Sequence, residues 1–238
     1  MNKSISLTGL TVGLALLAQT ALAGDFTAFE GALRSAYGDY RAALVQTSLG
    51  NAEATSKALT GFQTKWLELA ATWRETPPPQ YADDAGYAAT LAEVSALLDE
   101  AQTIAAAGDL AKAHLTLEGV REALGALHIR NGLFTFSDRM NAYHTKMEEV
   151  LGKDYLGFSP AGIATLREDA AVLAALAQTV QDHPAPEAAV EPYAMLVKGF
   201  LASIEALQQA ARAGDAAAAK AAIGGLKPAY AKLFAKFG

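Results

Sequence analysis

Two methionines and a histidine lie within the eleven residues RMNAYHTKMEE (139–149), although the 238-residue chain has only 4 Met and 4 His. On a helix, Met140, His144 and Met147 fall within about 60° of one another, with Glu148 at the edge of that face. Thioether sulfur and imidazole nitrogen are donors that soft metal ions prefer, copper(I) above all. The segment therefore predicts either a metal site or a helix core in which Met acts as an adaptable filler.

A second polar group precedes this segment on the neighbouring predicted helix. His114, Arg121 and His128 are spaced seven residues apart, which keeps them on one stripe. Glu118 follows His114 by one helical turn. Imidazole and carboxylate at this spacing make His114 and Glu118 a second candidate metal pair, and carboxylate ligands would shift the preference from copper toward zinc, iron or manganese.

If the two helices fold back on each other at Asn131-Gly132, their geometry determines which candidate metal donors can lie close together. In an antiparallel pair, Met140 lies near the level of His128, whereas His114 lies at least a turn away because each residue rises ~1.5 Å. The sequence thus predicts one metal site, with copper favoured, formed by His128, Met140, His144 and Met147. Haem held without covalent attachment by a His and a Met is a remoter alternative.

The non-metal alternative rests on Arg121, whose permanent charge would repel a cation unless Glu118, Glu122 or Glu148 neutralises it. The histidines would then form a polar seam with Arg121 and Glu148, where two halves of the chain or two subunits meet. This alternative predicts a structural or protein-interaction module of the bacterial envelope, with an envelope protein or a second copy of the chain as its partner.

The N-terminus predicts export. Lys3, an apolar run and Ala21-Leu22-Ala23 form a secretory signal peptide over residues 1–23. Without it, 18 basic and 25 acidic residues give a formal charge of 18 − 25 = −7, which argues against nucleic acid as a partner. The absence of Cys excludes disulfides and covalent haem attachment. We predict a periplasmic protein with no transmembrane segment after signal cleavage.

The rest of the chain predicts an all-α fold. Apolar residues recur at helical spacing, and β-branched residues are sparse. Gly50-Asn51, Gly108-Asp109 and Gly214-Asp215 are each typical of a helix end followed by a new N-cap. Eight helices are predicted, at about 26–48, 52–74, 84–107, 109–130, 137–151, 160–182, 187–213 and 215–237. Mid-helix glycines at 61, 119 and 225 further predict close contacts between helices.

A single offset of 106 residues relates the two halves of the chain. It superimposes Tyr37 on Tyr143, Pro78 on Pro184, Tyr87 on Tyr193, Gly108 on Gly214, and Asp109 on Asp215. We interpret this as a tandem duplication of a four-helix unit, residues 24–131 and 132–238, forming either two side-by-side four-helix bundles or one continuous core. Positions fixed only by packing should match between copies. The His and Met residues do not match, and this asymmetry is what suggests a ligand.

No motif predicts an enzyme. The sequence has no nucleotide-binding loop, no H-E-x-x-H and no G-x-S-x-G. The adjacent carboxylates Asp83-Asp84 and Glu148-Glu149 point apart on a helix or loop. The chain is therefore predicted to bind rather than to catalyse.

Overall fold

The computed structural model describes residues 10–238, with side chains from Gly24 onward, and this part of the chain is all-α, as predicted. Its helices are α1 (Leu10–Ser48), α2 (Ala52–Trp73), α3 (Tyr87–Ala106), α4 (Leu110–Arg130), α5 (Phe136–Gly152), α6 (Tyr155–Phe158), α7 (Pro160–Asp182), α8 (Tyr193–Ala213) and α9 (Ala216–Phe237). A short 3-10 turn occupies Pro79–Tyr81. None of the described helices is long and apolar enough to cross a bilayer.

Two helix starts differ from the sequence-based prediction by six residues or more. Helix α1 is already present at Leu10, the first described residue, whereas its start was predicted near 26. Helix α8 begins at Tyr193 rather than near 187. Pro184, Pro186 and Pro192 explain the second difference, since proline cannot donate to the helical ladder. Residues 1–9 of the predicted signal peptide lie outside the described residues, and for 10–23 only the helical backbone is described.

The described part of the chain divides into two compact units, with the boundary between Leu127 and His128. The sequence had suggested a boundary at 131/132. In the first unit, α1 packs on α2, and α2 packs on α3. Helix α4 completes a four-helix bundle: a Cβ added at its Gly119 would lie 3.2 Å from Leu97 of α3, and its His114 bonds Thr47 of α1. Trp66 is fully buried in this core.

The second unit is also a four-helix bundle. Helix α5 packs on α7 and α9, and α8 packs on the same two helices. Tyr143 of α5 lies in the middle of this core, edge-on to Phe200 and stacked on Tyr230. Its buried hydroxyl has no hydrogen-bond partner among the described residues. The two units share one cyclic order of helices, while the duplication itself remains a prediction from the 106-residue offset.

Helix α6 is a left-handed turn that the sequence did not predict. Tyr155, Leu156, Gly157 and Phe158 all have positive φ, between 49° and 62°. Left-handed helical backbone costs roughly 1–2 kcal/mol for each non-glycine residue. A Cβ added at Gly162, in the first turn of α7, would overlap the Tyr155 carbonyl. Glycine at 162 therefore lets the turn fold back onto α7.

The mid-helix glycines Gly61 and Gly225 differ in the space around them, so replacing each by Ala should have different effects on stability. A Cβ at Gly61 would lie 3.1–3.3 Å from the Asp39 carboxylate, whereas a Cβ at Gly225 meets no atom within 4 Å in the described part of the chain. Close packing is therefore the wrong explanation for Gly225. We expect Gly225→Ala to raise the free energy of unfolding by about 0.5–1 kcal/mol through helix propensity. Gly61→Ala should gain less or lose stability because Asp39 must move.

Urea denaturation of both variants beside the wild type measures this difference. Equal gains in the two variants would contradict the close approach of α1 and α2 at Gly61.

Candidate functional site

His128 lies at the C-terminal end of α4 and is held by a carboxylate at the start of α5. Its Nδ1 is 2.8 and 3.0 Å from the two oxygens of Asp138, and both side chains are almost fully buried. Because a carboxylate only accepts, Nδ1 carries the proton and donates it. Asp138 also accepts from the Thr135 backbone N–H at 2.7 Å and from the Thr135 hydroxyl at 2.7 Å, within a capping box that begins α5.

His144 lies in the middle of α5 and faces a different carboxylate. Its Nε2 is 3.5 Å from Oε1 of Glu148, one turn later, and its ring is 5.1 Å from that of Tyr230. Lys227 of α9 places its ammonium 2.9 Å from the same Glu148 oxygen. Glu148, the carboxylate that could join His144 in a metal site, therefore already pairs with the Lys227 ammonium.

The pair His114 and Glu118 repeats this arrangement in the first unit. Nε2 of His114 is 3.8 Å from Oε1 of Glu118, and the same oxygen accepts from Arg121 at 3.0 Å. On the other side of the ring, Nδ1 is 2.8 Å from the Thr47 hydroxyl oxygen. That hydroxyl donates to the Leu44 carbonyl at 2.8 Å, so His114 Nδ1 must be the donor. Arg121 is thus neutralised by Glu118, one of the carboxylates that the sequence offered for this purpose.

Met140 and Met147 are fully buried in the second unit, on the face of α5 that includes Tyr143. His144 lies on the same helix between them. His128 is anchored to Asp138, and the six residues from Asp138 to His144 correspond to about 9 Å along the helix axis. The two imidazoles of the predicted four-residue site therefore face separate carboxylates. No described group of three or more His, Cys, Asp or Glu could hold a metal ion.

A buried charge cluster around Asp169 of α7 escaped sequence reasoning. The carboxylate is 2.8 Å from the ammonium groups of Lys146 and Lys153, and it accepts from the Tyr155 hydroxyl at 2.8 Å. Burial alone would raise the pKa of Asp169, but these three hydrogen bonds outweigh it and hold the pKa below its usual value. The hydrogen bond to Asp169 raises the pKa of Lys146, and burial followed by the same carboxylate raises that of Tyr155.

One end of the second unit exposes large apolar side chains. The first turns of α5 and α8 and the last turn of α9 meet there: the Phe136 and Tyr193 rings are 6.1 Å apart, and the Tyr193 and Phe237 rings 5.1 Å. Four large apolar residues in the last turn of α4, in the turn after it and around the start of α8 are more than half exposed, namely Ile129 (59%), Phe134 (59%), Val190 (53%) and Met195 (64%). We call these four residues the apolar end.

Hydrogen bonds fix the backbone between Ile129 and Phe134. The Leu133 N–H donates to the His128 carbonyl at 2.9 Å, around Gly132 at φ 70°. Arg139 donates to the carbonyls of Phe134 and Thr135. The turn between α4 and α5 therefore presents its two exposed apolar side chains from a fixed backbone.

No family model matches this chain, and neither a curated protein nor a solved structure does.

Proposed function

We propose that this chain is an exported protein of the bacterial periplasm that binds an envelope protein through the apolar end of its second unit. The observation that carries the proposal is the pinned turn between α4 and α5, which exposes Ile129 and Phe134 at 59% each. Neither side chain contributes much to the core of its own unit. A partner that covered them would gain about 25 cal/mol for each Å² of apolar surface removed from water.

The rigidity of this turn favours binding. The capping box, the Asp138 bond to His128 and the Arg139 clamp fix the turn before any partner arrives. Binding through a preorganised segment loses less conformational entropy than binding through a mobile one. A few well-packed anchor residues, aromatic ones among them, dominate the binding energy of protein interfaces. On this proposal, the histidine–aspartate pair serves the turn rather than a metal.

The pairing of the other imidazoles supports a non-metal function. In both His-x-x-x-Glu pairs, the glutamate oxygen that faces the imidazole also binds a cation, Arg121 in one and Lys227 in the other. A metal ion at either position would lie within a few ångströms of that cation and be repelled by it. These pairs therefore act best as polar contacts between helices.

Site-specific photo-crosslinking in living cells tests the proposal. A photoreactive amino acid at position 134 should give a discrete adduct with one envelope protein, whereas the same group at Val172, which is exposed in the middle of α7, should not. Ile129→Ser should weaken the adduct formed from position 134. Equal adducts from 134 and 172, or none from either, would refute the proposal.

Copper binding in the second unit is the second candidate function. Two observations favour it: Met140 and Met147 lie in the interior on either side of His144, and Asp138 orients His128 through Nδ1 as carboxylates orient metal-binding imidazoles. The donors would be His128, Met140, His144 and Met147.

Titration of the purified protein with Cu(I), Cu(II) and Zn(II) tests this candidate. The double variant Met140→Leu/Met147→Leu keeps the core volume and removes both sulfurs, at a cost of less than ~1.5 kcal/mol for each substitution. Loss of Cu(I) affinity in the folded variant would support the site. Unchanged affinity, or none in the wild type, would exclude it, and the visible spectrum of the same sample reports any haem.

A further inference from the structure

Tyr155 crosses one face of α7 and contacts it at two levels. A Cβ added at Gly162 would lie 1.7 Å from the Tyr155 carbonyl oxygen, so the Tyr155 backbone lies directly over that glycine. The Tyr155 hydroxyl donates to Asp169, seven residues later and thus about two turns farther along α7. Lys153 donates to the same Asp169 oxygen at 2.8 Å. We call residues 153–158 the strap.

The backbone of the strap is strained. Tyr155, Leu156 and Phe158 have φ of 49°, 50° and 61°, in the left-handed region that disfavours residues with a Cβ. Such a backbone persists only where the surrounding contacts hold it. Tyr155 is buried, whereas Leu156 is 71% exposed. The contacts of Tyr155 and Lys153 with Asp169 therefore hold the strained turn closed on α7.

We propose that loss of the charge on Asp169 releases the strap from α7 while the four-helix bundle of the second unit stays folded. A neutral group at this position accepts weaker hydrogen bonds than a carboxylate does, and it no longer balances the charges of Lys146 and Lys153. Opening also allows the strained residues to leave the left-handed region. The strap is therefore an acid-sensitive element that, when released, exposes Tyr155 and the face of α7 beneath it.

The bundle does not depend on the strap for its packing. Helix α5 packs directly on α7 and α9, and α8 packs on the same two helices. The core rings of Tyr143 and Phe200 belong to α5 and α8. Apart from Tyr155, the residues of the strap are half-buried or exposed. Local opening of such a peripheral segment leaves most of the buried apolar contacts in place.

The titratable groups around Asp169 come from α5 and from the strap itself, namely Lys146, Glu149, Lys153 and Tyr155. Arg167 of α7 points elsewhere and donates to two backbone carbonyls at the end of α8. The hydrogen bonds from Lys146, Lys153 and Tyr155 hold the pKa of Asp169 below its usual value. Release of the strap by acid therefore requires a pH below about 4.

Chymotrypsin digestion of the folded protein at neutral pH, with fragments identified by mass spectrometry, tests the proposal. In Asp169→Asn, cleavage after Tyr155, Leu156 or Phe158 should be about tenfold faster than in the wild type, because cleavage follows the population of the open strap. Tyr155→Phe, which removes only one hydroxyl, should give a smaller increase at the same bonds. Glu149→Gln is the matched control and should be cleaved like the wild type, since Glu149 bonds Lys146 rather than the strap.

Pepsin digestion tests the effect of acid on the wild type itself. Cleavage of the wild-type strap should be about tenfold slower than that of Asp169→Asn at about pH 5, and the two rates should converge as the pH falls below about 4. Cuts in Asp169→Asn that spread equally over α5 and α7–α9 would show that the whole bundle opens, which overturns the proposal. Strap cleavage at the wild-type rate in both Asp169→Asn and Tyr155→Phe would overturn it too, as would a ratio that does not change with pH.

Discussion

Gly162→Ala is expected to destabilise the second unit by about 3 kcal/mol or more, because its methyl group would overlap the backbone carbonyl of Tyr155. A flexible side chain could move away, but a carbonyl moves only with its chain. Relief would require the left-handed turn Tyr155–Phe158 to unwind. The hydrogen bond from the Tyr155 hydroxyl to Asp169 would be lost with it.

Guanidinium denaturation followed by circular dichroism measures this loss. Gly199→Ala is the control, because Gly199 lies within α8 and a Cβ there meets no atom within 4 Å in the described part of the chain. The control should be as stable as the wild type or slightly more so. A Gly162→Ala protein that unfolds within ~0.5 kcal/mol of the wild type would show that Tyr155 does not turn back onto α7.

Asp169→Asn is expected to cost about 2–3 kcal/mol at neutral pH, because it leaves Lys146 with one fewer counter-charge in a largely buried position. Glu149→Gln is a matched control. Glu149 binds the same Lys146 at the same 2.8 Å, but it is mostly exposed, and exposed pairs contribute less than ~1 kcal/mol. The difference between the two variants isolates the effect of burial.

The pH dependence provides a second signature of the Asp169 cluster. The folded pKa of Asp169 lies below the unfolded value of about 3.9, so its contribution is complete above that pH and is lost as the pH falls through the folded pKa. The stability difference between wild type and Asp169→Asn should therefore be largest at neutral pH and shrink below about pH 4. A difference that stays constant between pH 7 and pH 3 would contradict the depressed pKa.

At alkaline pH, the stability contributed by the cluster changes in the opposite direction and falls as the pH rises. The folded pKa values of Lys146 and Tyr155 lie above their unfolded values, near 10.4 and 10, so their contributions are complete below those values. They are lost as the pH rises further. The cluster therefore stabilises the second unit between its acidic and alkaline limits.

Helix positions were predictable because their signals are local. Asn51 caps α2 by accepting from the Ala54 N–H, and Asp215 caps α9 by accepting from the Ala217 and Ala218 N–H groups. Gly50, Gly108 and Gly214 have positive φ, as the proposed helix ends require. These features involve residues only a few positions apart, so apolar periodicity and cap residues suffice to locate them.

Two partners of the histidines, Asp138 for His128 and Thr47 for His114, lie on other helices, and the sequence analysis missed them. The spacing of Thr135 and Asp138 before an apolar helix is a capping-box signal, and it could have identified Asp138 as a residue already engaged near the end of α4. Asp169 had no such signal, because the side chains that bind it, Lys146 and Tyr155, come from α5 and from an unpredicted left-handed turn. The burial of Met140 and Met147 followed from helical periodicity alone.

Tryptophan fluorescence reports on the first unit only, whereas far-ultraviolet circular dichroism reports on both units. Both tryptophans, Trp66 and Trp73, belong to the first unit, and Trp66 is enclosed in its core. Indole emission therefore follows the melting of that unit alone, whereas far-ultraviolet ellipticity sums the helices of both. If the unfolding midpoints measured by the two signals differ, the second transition gives the stability of the tryptophan-free second unit within the intact chain.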